Sequence, residues 1–413
     1  MFTMMILLIY RVGSAVRVPF VNQDLLKGAM DAFTNNTIFG LFDMMSGSAF
    51  SQASILALGI QPYINASIII QLLTVAFPPL ERMAKDGGEE GKKKLNNITR
   101  YTTVVLGILL GYGYYTMIQN TQFGSLLTAD GQGFAPALVI ILAFTAGSSI
   151  VMWMGEQITE HGIGNGISMI LFANILAGLP ASFRAMGSLM TWWQGILVTI
   201  GLLALVVFIV FINDAERRIP IQYAKRVVGR KVYGGQNTNL PIKVAMSGVM
   251  PIIFAQSIAS ILPTILQFTN PNGTSKNGFV QFLINISKST SWVYIIFYFI
   301  LIFFFSWFYA QIQYDPVEIS NNLKKNGGFI PGFRPGKPTG DFIKKVIGKI
   351  VVFGAVYLAV VALLPLIAGK MLPAVRYLSI GGTSIIIVVG VALETVKALE
   401  AQMLMRHYKG FLD

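Results

Sequence analysis

The chain contains no cysteine and only two histidines, His161 and His407, among its 413 residues. Without thiols there is no disulfide framework and no thiolate metal site, and two isolated imidazoles leave little material for histidine chemistry. Charge is scarce as well, at 12% of residues against 54% hydrophobic. Inside the apolar runs ionisable residues are nearly missing. Arg11 and Arg17 lie in the first run, while Glu156 and Glu394 sit near run ends where they reach an interface. Buried ionisable groups are the usual markers of proton or ion coupling, so their scarcity weighs against an ion-coupled carrier. Two glycine-rich stretches fail as nucleotide sites. GGEEGK at Gly87 is one residue short of a phosphate loop, lacks its Ser or Thr and follows no strand. HGIGNG at His161 opens a membrane helix with no βαβ context, so its glycines suit a tight turn or a close helix approach better. His161 itself reads as a solvated loop residue. With no Ser, His and Asp arrangement either, the chain is expected to be no enzyme and to hold no cofactor or metal.

Long apolar runs are what the chain has in excess. Windows of about twenty residues place spans near Met1 to Pro19, Ile60 to Pro78, Thr99 to Gln119, Phe134 to Met154, Ile163 to Leu179, Met190 to Ile212, Val244 to Gln267, Trp292 to Gln313, Ile347 to Ala368 and Leu378 to Leu399. These ten define an all-α polytopic membrane protein with ten transmembrane helices. The first starts at Met1 with no polar lead-in, so either the chain begins late or residues precede it; no cleavable signal peptide is evident.

The formal charge of +13 is concentrated in a few connections. Lys and Arg number six between the second and third spans, seven between the sixth and seventh, and seven again from Asp315 to Lys349. By the positive-inside rule these loops and both termini are expected on the cytoplasmic side. The turn GEQITEHG, also expected there, carries no Lys or Arg. Two of the loops look structured beyond what topology needs. RRIPIQYAKRVVGRKVYGGQNTNLP alternates β-branched and aromatic residues with basic ones around a Gly-Gly turn, the pattern of a projecting hairpin. NNLKKNGGFIPGFRPGKPTGDF is read the same way, with Arg334 at its tip. Basic hairpins beyond a membrane face suit an acidic or phosphate-rich partner.

The stretch from Phe39 to Val75 is neither a normal span nor a normal loop. From Phe39 to about Ala57 it is apolar but studded with Gly and Ser, too short to cross a bilayer of roughly 30 Å. Pro62 separates it from a full span. Broken backbone at membrane depth survives only when buried in protein or facing a water-filled cavity, so this is either something seated in a cavity mouth or a re-entrant segment with a packing role. On the span that follows, Ile60, Ile64, Ser67 and Gln71 fall within about 60° of one another. That isoleucine pair either faces lipid or forms an apolar constriction that seals by dewetting.

The runs SQASILALGIQPYINASIIIQLLTV, GEQITEHGIGNGIS, YAKRVVGRKVYGGQNTNLPIKV, NNLKKNGGFIPGFRPG and GGTSIIIVV resemble the bacterial SecY family, the channel subunits of the Sec protein translocase. The likeness covers essentially the whole chain in order; the family's cytoplasmic lead-in is without a counterpart. It implies two inverted pseudo-symmetric five-helix halves, 1–180 and 181–413, around a central pore. Cytoplasmic loops fall at about 213–243 and 315–346. The resemblance places a pore ring on Ile60, Ile64, Ile167, Leu171, Ile253 and Ile387, with Leu171 where many relatives have Ile. It places a plug on 39–57, including Phe42, Met45, Ser46, Gly47 and Phe50. The lateral gate falls between the second and third spans and the seventh and eighth. Docking of a motor or ribosome falls on Arg226, Arg230, Lys231 and Arg334. The implied function is a protein-conducting channel in the bacterial cytoplasmic membrane that translocates secretory polypeptides and releases membrane segments laterally. Implied partners are SecE, SecG, the SecA motor ATPase, the ribosome, signal peptides, nascent polypeptides and membrane lipids, but not DNA. A secondary solute transporter with an inverted repeat is the alternative, and a receptor or scaffold a third reading.

Overall fold

A computed structural model describes residues 1–22, 25–26, 43, 45–85, 87–119, 126–128, 131, 133–187, 190–223, 226–228, 231–233, 237–246, 248–269, 278, 281–283, 291–371 and 382–409. Each expected span coincides with a helix: α1 (Phe2–Gly13), α2 (Gln61–Ala76), α4 (Gly88–Gln119), α5 (Phe134–His161), α6 (Gly166–Gly187), α7 (Trp192–Asp214), α8 (Met250–Thr269), α9 (Trp292–Gln313), α11 (Lys337–Met371) and α12 (Gly382–Lys409). Two short helices, α3 (Pro78–Lys85) and α10 (Pro316–Lys325), follow α2 and α9. Among the described residues five helices are long and apolar enough to cross a bilayer on those grounds alone, or six if α2 and α3 count as one bent span, while α1 and the apolar parts of α6 and α8 are shorter. The long apolar flanks of α7, with Ile196, Leu197, Ile200, Leu203 and Val207 exposed, are what a lipid-facing surface requires.

Departures from the expected ends have local causes. The helix α1 stops at Gly13 rather than running to Pro19, because the chain beyond it pairs its backbone with another segment: Val18 N–H donates to Ala53 O (3.0 Å) and Ile55 N–H to Val16 O (2.9 Å). Arg17 therefore lies past the helix, in a bridge with Ser54. The helices α4 and α11 start earlier than hydropathy alone indicates, at Gly88 and Lys337, since polar leading turns stay helical once outside the apolar layer. Between α2 and α3 the axis bends by 106°.

The connection after α7 is the expected hairpin. Strand β1 (Glu216–Tyr223) runs antiparallel to β4 (Asn237–Lys243), with Glu216 opposite Lys243 and Gln222 opposite Asn237. Its outer part is a two-stranded ribbon of β2 (Arg226–Val228) and β3 (Lys231–Tyr233). The connection after α9 is not a second hairpin. Residues Pro316–Lys325 are helical, capped by the Asp315 carboxylate accepting from Val317 and Glu318 N–H (2.8 and 3.3 Å). Only Gly328–Phe329 forms a strand, β5, which adds to the edge of β1 and gives the order β4-β1-β5. The period-2 alternation that the first loop has is missing here, and the helix cap overrides the Gly and Pro punctuation. Ile219, Ile221 and Ile242 of the sheet pack on Leu323, Ile343 and Ile347, so both basic loops sit on one small apolar base.

The glycines at the α5–α6 turn serve close approach. A Cβ on Gly166 would lie 1.9 Å from the Gly155 carbonyl oxygen, whereas one on Gly201 in α7 meets nothing within 4 Å. Gly166→Ala is expected to force the two helices apart and destabilise the fold by about 1–3 kcal/mol, while Gly201→Ala leaves it unchanged. Thermal unfolding of the two purified variants checks this, and equal midpoints would contradict it.

Candidate functional site

The six residues singled out for a pore ring come from four helices and meet in one place. Ile60 caps α2 and Ile64 lies in its first turn; Ile167 and Leu171 lie on α6, Ile253 on α8 and Ile387 on α12. All belong to a single apolar cluster, with Ile167 partly buried at its edge. The others are closed off from solvent, Leu171 at 0% and Ile387 at 1% exposure. Gly155 of α5 holds two of them together, since a Cβ there would lie 3.6 Å from both Ile60 Cδ1 and Ile167 Cγ1. The lipid-facing alternative for Ile60 and Ile64 is thereby removed. Helices α2 and α4 both contact α8, so the expected gate seam is shut.

Met45 of the anomalous segment is part of the same cluster. Its segment is not helical beyond Ser46, and its backbone is paired by side chains arriving from elsewhere. Asn174 Nδ2, on α6, donates to Met45 O (2.8 Å) and to the Tyr10 hydroxyl (2.9 Å); Tyr10 in turn donates to Ser46 O (3.4 Å). Arg11 Nη1 donates to Gly47 O (2.7 Å). On α8, Gln256 Nε2 donates to the Met45 sulfur (3.0 Å), and Gln61 on α2 approaches the same atom at 3.8 Å. Farther along, the Tyr114 hydroxyl on α4 donates to Phe50 O, and the two rings stack edge to face at 4.7 Å. Phe50, Ala53, Ala57 and Leu58 join a second apolar cluster with α4 and α5. Ile55 O touches α5 where a Cβ on Gly147 would lie 2.0 Å away.

Glycine at 47 answers two demands at once. Its φ is +66°, and a Cβ would sit 2.9 Å from both Arg11 Nη1 and Asn174 Oδ1. Of the plug residues anticipated, Met45, Ser46, Gly47 and Phe50 are thus gathered here, while Phe42 lies outside the described residues. Tyr10, Asn174, Gln61, Gln256 and Tyr114 were not anticipated. Their signal was available: amides in mid-span are costly in a bilayer and face a partner. Arg11, noted only as a charge in the first span, proves to hold a carbonyl. Glu156 is gripped by Arg100 through two hydrogen bonds of 2.9 and 2.8 Å, tying α5 to α4.

The docking residues lie elsewhere. Arg226 and Lys231 are on the β2–β3 ribbon, and Arg230 at its turn lies outside the described residues. Arg334 is exposed in the turn before α11, fixed by the Thr339 hydroxyl donating to its carbonyl (2.8 Å). His161 is exposed in the α5–α6 turn, beside Glu160 at 4.0 Å. Among the described residues no three of His, Cys, Asp and Glu gather as metal ligands would.

A family model described as SecY matches residues 54–396. The chain is 42% identical over 423 residues to a protein translocase subunit SecY from Streptomyces galbus, covering 100% of this chain and 96% of the relative. Its fold is similar to the structure of a protein-conducting channel, with a TM-score of 0.66 at 16% identity over 97% of this chain and 91% of the other. It is similar as well to Sec61 in the canine ribosome-channel complex from the endoplasmic reticulum, at a TM-score of 0.62 and 15% identity over 97% and 91%.

If Tyr114 anchors the segment from outside, Tyr114→Phe orphans a buried carbonyl and costs about 1–3 kcal/mol locally. Hydrogen exchange of amides 49–55 is expected to quicken by about fivefold or more while the helices stay protected; unchanged exchange would show that the contact holds nothing.

Proposed function

Because the chain belongs to the SecY family and is the multi-pass, protein-conducting subunit of a translocation channel in a bacterial membrane, we propose that polypeptides cross where α2, α6, α8 and α12 meet. One observation carries this reading: apolar residues of those four helices, four carried by the first half and two by the second, close on one another with Met45 against them. Residues 1–180 and 181–413 are the two halves, and the segment from Phe39 to Ala57 is the plug. Secretory segments pass between the halves, while membrane segments leave sideways between α2 and α4 on one side and α8 and α9 on the other. An ion entering such a constriction sheds water and gains no polar partner, so the closed channel holds ions back. An extended polypeptide, driven from outside, displaces the branched side chains by rotamer change.

The driving force comes from partners. We assign the joined sheet β4-β1-β5 and its ribbon to the cytoplasmic side, where Arg226, Arg230, Lys231 and Arg334 dock the SecA motor or the ribosome. The exposure of Arg334 and the place of Arg226 and Lys231 on a ribbon that extends from a shared apolar base support this, as does the ribosome-bound state of the canine Sec61 relative. SecE and SecG are the expected membrane subunits. No catalytic step is assigned to the chain.

Two measurements follow. Replacing Ile64 and Ile253 together with Ser is expected to raise resting ion conductance in planar bilayers and to admit substrates with defective signal sequences; Leu or Val at both sites changes little. A double Ser variant as tight as the parent would remove these residues from the seal. Arg334→Glu is expected to abolish ATP-dependent export by reconstituted vesicles while shifting stability by only about 0.5 kcal/mol, since the side chain is at the surface. Normal export by that variant would defeat the motor assignment.

A further inference from the structure

The grip on the 45–47 backbone is one-sided. Three consecutive carbonyls are each held by a side chain of the first half: Met45 O by Asn174, Ser46 O by Tyr10 and Gly47 O by Arg11. From the second half Gln256 reaches this turn with a hydrogen bond, but it donates to a thioether sulfur, a weak acceptor. Asn174 is the hub. It is buried at 2% exposure, both of its donor hydrogens are used, and its oxygen lies over Gly47 where any larger residue would collide with it. Tyr10, buried at 1%, accepts from Asn174 Nδ2 at its hydroxyl and donates that hydroxyl to Ser46 O. Neither residue is one of the six ring positions.

We propose that Asn174 and Tyr10 clasp the plug to the first half of the channel, making release of the plug a step separate from parting of the α2–α8 seam. The proposal rests on reading 45–57 as a plug. When α8 moves away, the turn loses one hydrogen bond to sulfur and keeps three to its carbonyls. The seam then opens for a signal segment with the plug still seated, and the plug leaves only when the bonds from Asn174, Tyr10 and Arg11 break as well. Asn174 is thus a positioning residue. It sets how often the plug is off its seat in the resting channel, without touching the route to lipid.

The absence of cysteine makes a single introduced thiol unambiguous. In a Ser46→Cys background, a site buried at 3% exposure, labelling by a membrane-impermeant maleimide from the outer face reports the unseated fraction. The channel is assayed as the assembled complex without substrate. Asn174→Leu, which keeps bulk but not hydrogen bonds, is expected to label about tenfold faster and Tyr10→Phe about threefold faster, since each strips part of the clasp. The double variant should label no faster than Asn174→Leu alone, because Tyr10 is oriented through Asn174. Gln256→Met, which loosens only the second half's contact, should stay within about twofold of the parent. Tyr10→Phe removes a single hydroxyl, so it serves if Asn174→Leu fails to assemble. Parent-like labelling in both clasp variants would overturn the proposal, and so would a Gln256→Met variant as fast as Asn174→Leu. Labelling does not require transport, so a channel that labels as expected but exports nothing would count against the proposed function and not against the clasp.

Discussion

The bilayer offers no hydrogen-bond partner to peptide groups, and nearly every feature of the central region answers that constraint. Helices satisfy it internally; the segment from Met45 to Ile60 does not, so its carbonyls and amides must be met by something else. Val16 and Val18, leaving α1 early, pair with Ile55 and Ala53. Asn174, Tyr10, Arg11 and Tyr114 supply the side-chain donors. The segment caps itself in part, with Ser46 Oγ accepting from Phe50 N–H (3.0 Å) and Asp43 from Ser51 N–H (2.8 Å). A non-helical stretch is thereby made tolerable among helices, met by side chains and by the backbone of Val16 and Val18 and not by a continuous ladder.

Apolar closure and polar satisfaction do not coincide. The cluster around Leu171 and Ile387 is apolar, but the amide oxygens of Gln61, Asn65 and Gln256 are buried with no hydrogen-bond partner among the described residues. Each such orphan costs about 1–3 kcal/mol. They lie on α2 and α8, the helices that the proposed lateral exit would part, so that contact is held by apolar packing against a polar penalty. A seam with fully satisfied polar groups would be a permanent joint.

Much of this was legible in the sequence because spans of about twenty apolar residues have few other readings. Trp292–Gln313 was placed to the residue, and the hairpin after α7 announced itself by alternation. The second basic loop did not, because a helix cap at Asp315 and a short edge strand at Gly328 leave no periodic signature over so few residues. The ring positions came from resemblance; periodicity alone left Ile60 and Ile64 facing either lipid or a constriction. The clasp was invisible for a different reason. Asn174, Tyr10 and Met45 are far apart in the chain, and a lone mid-span amide says that it has a partner without saying which.

The central claim is that a translocating polypeptide passes between the residues that close the channel at rest. Photocrosslinking to a secretory chain stalled in mid-translocation addresses it directly, with the reactive side chain placed in turn at Ile64, Ile253 and Ile387 and, as a control, at lipid-facing Leu203. The account predicts adducts between the stalled chain and all three ring positions and none at Leu203. Adducts absent from the ring positions while the chain is demonstrably stalled in the channel would contradict it.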